Sequence, residues 1–439
     1  MLKEKKYYPV LWIVLLGVCL YGSLFLCLQI NENLNENARF QPSDTYTYTL
    51  AGKNLYLNGF KFDARRPFLY PLLVGVPFLF SPKVEYVLIF TRFLNVVLWI
   101  GIALLLFKTL DKHHLSAKKS GLVALTFLVN MGNIAIAFTG LSETAYVFCL
   151  TLFVYYFNLY VQRNYFFYAS MSFLALVFSL LIRPASSILV GFLALILVFD
   201  AFKKRKILDF KTFFVFGFSV VLMLVQLWGM HRDFGKLTFS SVGQSTLYRF
   251  QNGMAETLYR NPKTLFDWQA QSIAFRPIKH HRDSISCYTD WSVAGLKPLY
   301  ELVESDTKYQ LNHYLPYYAL AFATNIAKNT LCGSNVLKSV KNINEKDFFY
   351  PIKSFSYAVS LIQNIFYTIA LFVFLPFLFI NRHKFLTPRL GFFLCFVWFM
   401  GFYLAVSSGI SFYQGDRFHL CFVPIVLALF GVLMPKKSP

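Results

Sequence analysis

The sequence predicts an all-α polytopic membrane protein of about ten transmembrane helices. It also predicts a re-entrant or juxtamembrane helical first outer loop and a mixed, mainly helical outer region. Three observations lead there. Of its 439 residues, 56% are hydrophobic and only 14% charged, whereas soluble proteins carry about 25% charged residues. The 51 Phe and 27 Tyr are a load that an aqueous surface does not hold. Uncharged runs such as Tyr8–Gln29 and Phe213–Met230 exceed the ~18 residues that mark a bilayer span. Disorder, a small disulfide scaffold and a soluble enzyme are excluded.

Lys3, Lys5 and Lys6 precede the first run, which is long and lacks a small-x-small cleavage site. It reads as an uncleaved first span, Tyr8–Gln29. The next apolar run, Phe68–Phe80, is short and sits among Pro67, Pro71 and Pro77. It suits a re-entrant or interfacial helix rather than a crossing. Further spans follow near 85–107, 120–138, 143–161, 165–182, 185–201, 212–230, 355–380, 389–407 and 418–434. With ten crossings the basic clusters Lys3/Lys5/Lys6, Lys108/Lys112/Lys118/Lys119, Arg163, Lys203–Lys211, Arg382/Lys384 and Lys436/Lys437 all fall on one side. By the positive-inside rule that side is cytoplasmic. A crossing at 68–80 would invert every later loop.

Three segments are then external: 31–83, 231–353 and 408–417. The chain divides into a first transmembrane module, 1–230, an extracytoplasmic region, 231–353, and C-terminal transmembrane helices, 354–439. No Asn-x-Ser/Thr sequon occurs in the outer segments, which fits the inner membrane of a bacterium. The net charge of +21 is spread over short loops without a basic stripe, so it indicates topogenic charge and contact with anionic membrane lipids, not nucleic acid. Five of the seven cysteines lie in apolar runs. Cys287 and Cys332, in the outer region, either pair as the chain's one disulfide or stay as two thiols. His280-His281 stands between Lys279 and Arg282, where positive charge disfavours a metal. P-loop, dinucleotide and hydrolase motifs are absent.

Ionisable residues beside spans are expensive and mark sites by default. Taken singly each has a plain explanation. Asp44, after Ser43, reads as a helix-start residue. Arg65-Arg66-Pro67 reads as interfacial snorkelling. Glu143, after Ser142 as N-cap, reads as a dipole-stabilised carboxylate. Arg183, in Leu181-Ile182-Arg183-Pro184, and Arg417, after Asp416, break the positive-inside bias and need another reason. Together they bring two carboxylates and several arginines to one face. A carboxylate can act as general base toward a hydroxyl, and arginine is suited to phosphate. A donor reaching an outer face must be carried by a lipid.

The run Asp44-Thr45-Tyr46-Thr47-Tyr48-Thr49-Leu50-Ala51-Gly52-Lys53-Asn54-Leu55, with Asn58-Gly59-Phe60 and Arg66-Pro67-Phe68-Leu69-Tyr70-Pro71-Leu72, resembles the first outer loop of GT-C glycosyltransferases. These are polyprenyl-phosphate-sugar-dependent enzymes that include protein O-mannosyltransferases and the lipid A aminoarabinose transferase. Ser142-Glu143, Leu181-Ile182-Arg183-Pro184 and Gly415-Asp416-Arg417-Phe418 extend the match. It covers residues 1–230 well, 355–439 loosely and 231–353 only as a variable outer loop. The resemblance implies Asp44 as catalytic base and Glu143 as a second acidic position. It also implies Arg66, Arg183 and Arg417 beside the donor phosphate, with Tyr48 and Tyr70 near substrate. Many relatives carry a second aspartate in this loop where Tyr46 stands here, which weakens a metal-assisted mechanism. The resemblance points to no certain cofactor, and a divalent cation stays open. The implied function is transfer of a hexose or pentose, with inversion, from a polyprenyl-phosphate-linked sugar donor to a glycan, glycolipid or protein acceptor outside the cytoplasm. The alternative is a transporter or flippase of lipid-linked sugars, which would place charges at mid-membrane and show repeated halves.

Overall fold

The computed structural model describes residues 7–28, 44–113, 115–204, 209–266, 293–334, 337, 346–380, 387–411 and 416–434. Cys287, His280, His281 and Ser43 lie outside the described residues, and with them the disulfide and the helix-cap expectations. Among the described residues all regular structure is helical. Apolar sequence drives this, because a backbone surrounded by lipid must satisfy its own N–H and C=O groups.

The order is α1 Tyr7–Leu28, α2 Asp44–Leu57, α3 Leu69–Val74, α4 Val84–Asp111, α5 Ala117–Leu128, α6 Met131–Ala137, α7 Glu143–Arg163, α8 Phe166–Ile182, α9 Ser187–Lys204 and α10 Phe210–Phe234. There follow α11 Val242–Thr246, α12 Gly253–Arg260, α13 Val293–Thr330, α14 Tyr350–Ile380, α15 Pro388–Ser407, α16 Asp416–His419 and α17 Val423–Leu433. Helix α13 changes direction at Tyr314, whose φ/ψ of −131°/26° leave the helical range.

Six helices (α4, α7, α9, α10, α14 and α15) are each long and apolar enough to cross a membrane, or seven elements if α5 and α6 form one broken span. The chain is a multi-pass membrane protein. Helices also occupy the other predicted spans, but α8 and α17 are shorter, as is the apolar part of α1. The predicted single span at 120–138 is in fact two helices bent by 61°. Asn130 breaks it by capping α6, its side chain accepting from Asn133 N–H at 2.9 Å. Gln363 of α14 satisfies the exposed backbone, accepting from Met131 N–H at 3.0 Å and donating to the Val129 carbonyl at 3.2 Å. The predicted last span is likewise divided, because Pro424 sits in the first turn of α17 and starts it afresh.

Helix α7 is the centre of the bundle: 72% of its most apolar window is buried inside the protein, against 22% for the lipid-facing α10. Phe153 and Phe157 of α7 pack with Phe393 and Phe396 of α15 in the main core. The segment 68–80 forms α3 and a 3₁₀ turn, Val76–Leu79. At 1.5–2 Å per residue neither piece can cross a bilayer.

The loop before α3 is sewn to the end of α10. Phe62 N–H donates to Asp233 at 2.8 Å and Phe68 N–H to Gln226 at 2.9 Å, while the Gln226 amide donates to the Phe239 carbonyl at 2.9 Å. Ser241 N–H reaches the Ala64 carbonyl at 2.8 Å. An amide buried in a span would be costly unpaired. Gln226 is spent on holding this loop in place.

Candidate active site

Five charged side chains from four parts of the chain meet where α7 starts and α8 ends. Arg66 and Arg417 clasp Asp44 from its two oxygens: Arg66 on Oδ1, and Arg417 on Oδ2 at 2.6 Å. Arg417 turns its Nε to Glu143 Oε1, and Arg183 reaches the same oxygen at 2.9 Å. Arg183 and Arg417, from turns far apart in sequence, therefore share one carboxylate oxygen. Three guanidinium groups against two carboxylates leave one net positive charge.

Local sequence places each group. Asp44 lies in the first described turn of α2. Asp63 accepts from the N–H groups of Arg65 and Arg66 at 2.7 and 3.1 Å, a side-chain-closed turn that aims Arg66 at α2. Arg66 is held along its length by Thr47 Oγ1 at 3.2 Å and by the Tyr48 ring, 4.5 Å from its carbon. Pro184 disfavours helix at the residue before it, so α8 stops and Arg183 adopts φ/ψ of −143°/125°. Glu143 opens α7, where the helix dipole favours its charge.

Arg417 follows a turn pinned by two buried amides of α13. Asn325 donates to the Gly409 carbonyl at 3.0 Å, and Asn329 to the Ser408 carbonyl at 3.0 Å and to that of Ser411. Just beyond it, His419 contacts the Asn364 carbonyl at 2.7 Å.

The expected N-cap role of Ser142 is not what forms. Its backbone is already helical and its side chain makes no cap. Its hydroxyl instead pairs with Tyr48 OH at 2.7 Å. Tyr70 is wholly buried and donates to the carbonyls of Gly140 and Leu141 at 3.1 and 2.8 Å, with its ring edge-on to Tyr48 at 4.9 Å. Both tyrosines support the cluster from beneath. Sequence reading passed over Thr47, Tyr146 and Ser186. Tyr146 lies one helical turn after Glu143, its ring 5.8 Å from the Arg183 carbon and its hydroxyl 2.9 Å from Ser186. The i+3 spacing from Glu143 was the available signal.

Exposure grades the cluster. The Glu143 side chain is 1% exposed, the three arginines 13–17% and Asp44 30%, so Asp44 is the most exposed of the five. Burial alone would raise its carboxyl pKa, but Arg417 and Arg66 outweigh burial and hold it well below the usual carboxylate range. It is ionised, and a weak base. Among the described residues, Glu143 Oε2 is buried without a hydrogen-bond partner. Among the described residues no three His, Cys, Asp or Glu side chains gather as a metal site. Both carboxylates are already engaged by guanidinium groups.

No protein-family profile and no curated protein matches the chain. Solved structures of the Archaeoglobus fulgidus oligosaccharyltransferase do. The structure of AglB in complex with an inhibitory peptide and a dolichol-phosphate aligns at 12% identity with a TM-score of 0.48. The apo form aligns at 13% identity with a TM-score of 0.50. Each alignment covers 98% of this chain and 50% of the archaeal one. The chain shares the fold of the archaeal oligosaccharyltransferase. This chain spans about half the length of those structures, and the likeness in fold extends over nearly all of it.

Proposed function

We propose that the protein is an integral-membrane glycosyltransferase that moves one sugar from a polyprenyl-phosphate carrier to an acceptor outside the cytoplasm. The observation that carries this reading is the convergence of Arg66, Arg183 and Arg417 on Asp44 and Glu143 at one end of the bundle. The single net positive charge matches the single negative charge of a phosphodiester, the linkage of a polyprenyl-phosphate sugar. The GT-C fold supports the same class.

In the proposed reaction the acceptor oxygen attacks the anomeric carbon and the bond from that carbon to the phosphate oxygen breaks. The electron pair leaves with the phosphate, where Arg183 and Arg417 stabilise the growing charge. The hydroxyl proton passes to Asp44. A base this weak suits an oxocarbenium-like transition state, in which the hydroxyl becomes acidic only as its new bond forms. Because both its oxygens are clasped by arginines, Asp44 is a poor nucleophile, which favours direct displacement with inversion over a covalent intermediate. Glu143 offers its unpartnered oxygen to a sugar hydroxyl. Tyr48 and Tyr70 act as positioning residues.

The topology that accompanies this reading has ten crossings with both termini cytoplasmic, in the inner membrane of a bacterium. Segment 231–353 caps the site and guides acceptor choice, whether glycan, glycolipid or protein. Module 1–230 supplies four of the charged groups and 354–439 supplies Arg417. A transport pathway would need ionisable groups along mid-span, whereas these stand at helix ends. Incubating the purified protein with a panel of polyprenyl-phosphate sugars and following donor by mass spectrometry tests the reading. Donor consumption with release of polyprenyl phosphate is expected; unaltered donor across the panel together with counterflow in proteoliposomes would establish transport instead.

A further inference from the structure

A cleft lies at the end of the bundle opposite the charged cluster. The last turns of α7 and α9 and the first turn of α15 enclose about 550 Å³ there. Since α7 and α9 start at the charged cluster and α15 ends beside it, some 18–21 residues away, this cleft is roughly 30 Å from the cluster along the helices. Its wall is apolar and faces outward: Leu195 and Phe199 are each 70% exposed and Phe392 is 41% exposed. Its rim carries Lys203 and Arg389, both exposed. No ion pair to either is found among the described residues. The acid on the rim, Asp200, is engaged by the Tyr160 hydroxyl.

The first turn of α15 adds to the positive end. Thr387 caps only Leu390 N–H, at 3.3 Å, and Pro388 has none to cap, so the N–H of Arg389 still faces outward at the positive end of the helix dipole. Two cations against one acid, above an apolar wall at membrane depth, complement one ligand chemistry: a negative phosphate head joined to hydrocarbon chains.

We infer that this cleft is a binding site for a monoanionic phospholipid. Lys203 and Arg389 hold the phosphate, and an acyl chain lies along Leu195, Phe199 and Phe392. The site is separate from the proposed donor site and serves as a fixed lipid contact where α7, α9 and α15 meet.

Native mass spectrometry of the purified protein, titrated with phosphatidylglycerol or phosphatidylcholine in detergent, tests this. Phosphatidylglycerol should stay bound at several-fold higher occupancy than phosphatidylcholine. Lys203→Ala with Arg389→Ala should lower that occupancy at least fivefold, while Lys118→Ala with Lys119→Ala, at the same membrane face, should leave it intact. Glycerophosphate, the head without chains, should not compete at equal concentration. Equal retention of the two lipids by the wild-type protein would overturn the assignment without any variant. So would equal losses in the two double variants, or competition by glycerophosphate.

Discussion

Asp44 is the most open of the five charged groups and the one with the clearest consequences. Asp44→Asn should reduce sugar transfer by ~10²–10⁴-fold, the usual cost of losing a general base, with folded yield retained; steady-state assay of purified variant measures it. More than a tenth of wild-type activity would end the assignment. The depressed pKa of Asp44 fixes a pH signature as well. A carboxylate with a lowered folded pKa stabilises the protein above its unfolded value, ~3.9, and loses that contribution only as pH falls through the folded value. The stability difference between wild type and Asp44→Asn should therefore be flat from pH 7 to 5 and shrink only below about pH 4. Thermal melts at stepped pH read this directly. Arg183→Lys and Arg417→Lys should each raise the KM for donor, because an ammonium cannot make the planar two-point contact.

At the scale of the element, the junction between α2 and the turn before α7 controls the site. A Cβ on Gly140 would collide with Thr45 Cγ2. Gly140→Ala should push the first turn of α2 away, lowering activity more than tenfold and the melting temperature by several degrees. Gly121→Ala, where a Cβ meets nothing within 4 Å, is the matched control. The stop of α8 before Pro184 was legible in sequence because proline acts locally on the residue before it. The break at Asn130 was not, because its exposed backbone is satisfied by Gln363, more than two hundred residues away. For the same reason Ser142 read as a cap: only the folded chain brings Tyr48 to its hydroxyl.

For the molecule as a whole, composition alone was enough to give a helical membrane protein, and the order of short motifs singled out all five clustered charges. What sequence could not reveal is the pairing. Arg66 answers Asp44 within one loop, whereas Arg417 crosses from the other end of the chain to serve two acids. Charge counting also yields a topology that helix length does not decide, since α8 and α17 are short for a span. Cysteine-accessibility labelling should find Lys211 and Lys118 positions shielded from an external reagent and Lys61 and Lys236 positions open to it. External labelling at Lys211 would break the ten-crossing arrangement.

The sharing of Arg417 between Asp44 and Glu143 bears on turnover. In the proposed reaction the lipid phosphate left behind carries more negative charge than the donor that arrived, so the arginines would grip it hardest when it must depart. On the proposed reading the two acids would compete for the same guanidinium groups and, by closing back onto them, would help expel the spent carrier. Glu143→Gln removes one competitor. Rapid-quench kinetics on that variant should show a fast first turnover followed by slow later ones, with release of the carrier as the bottleneck.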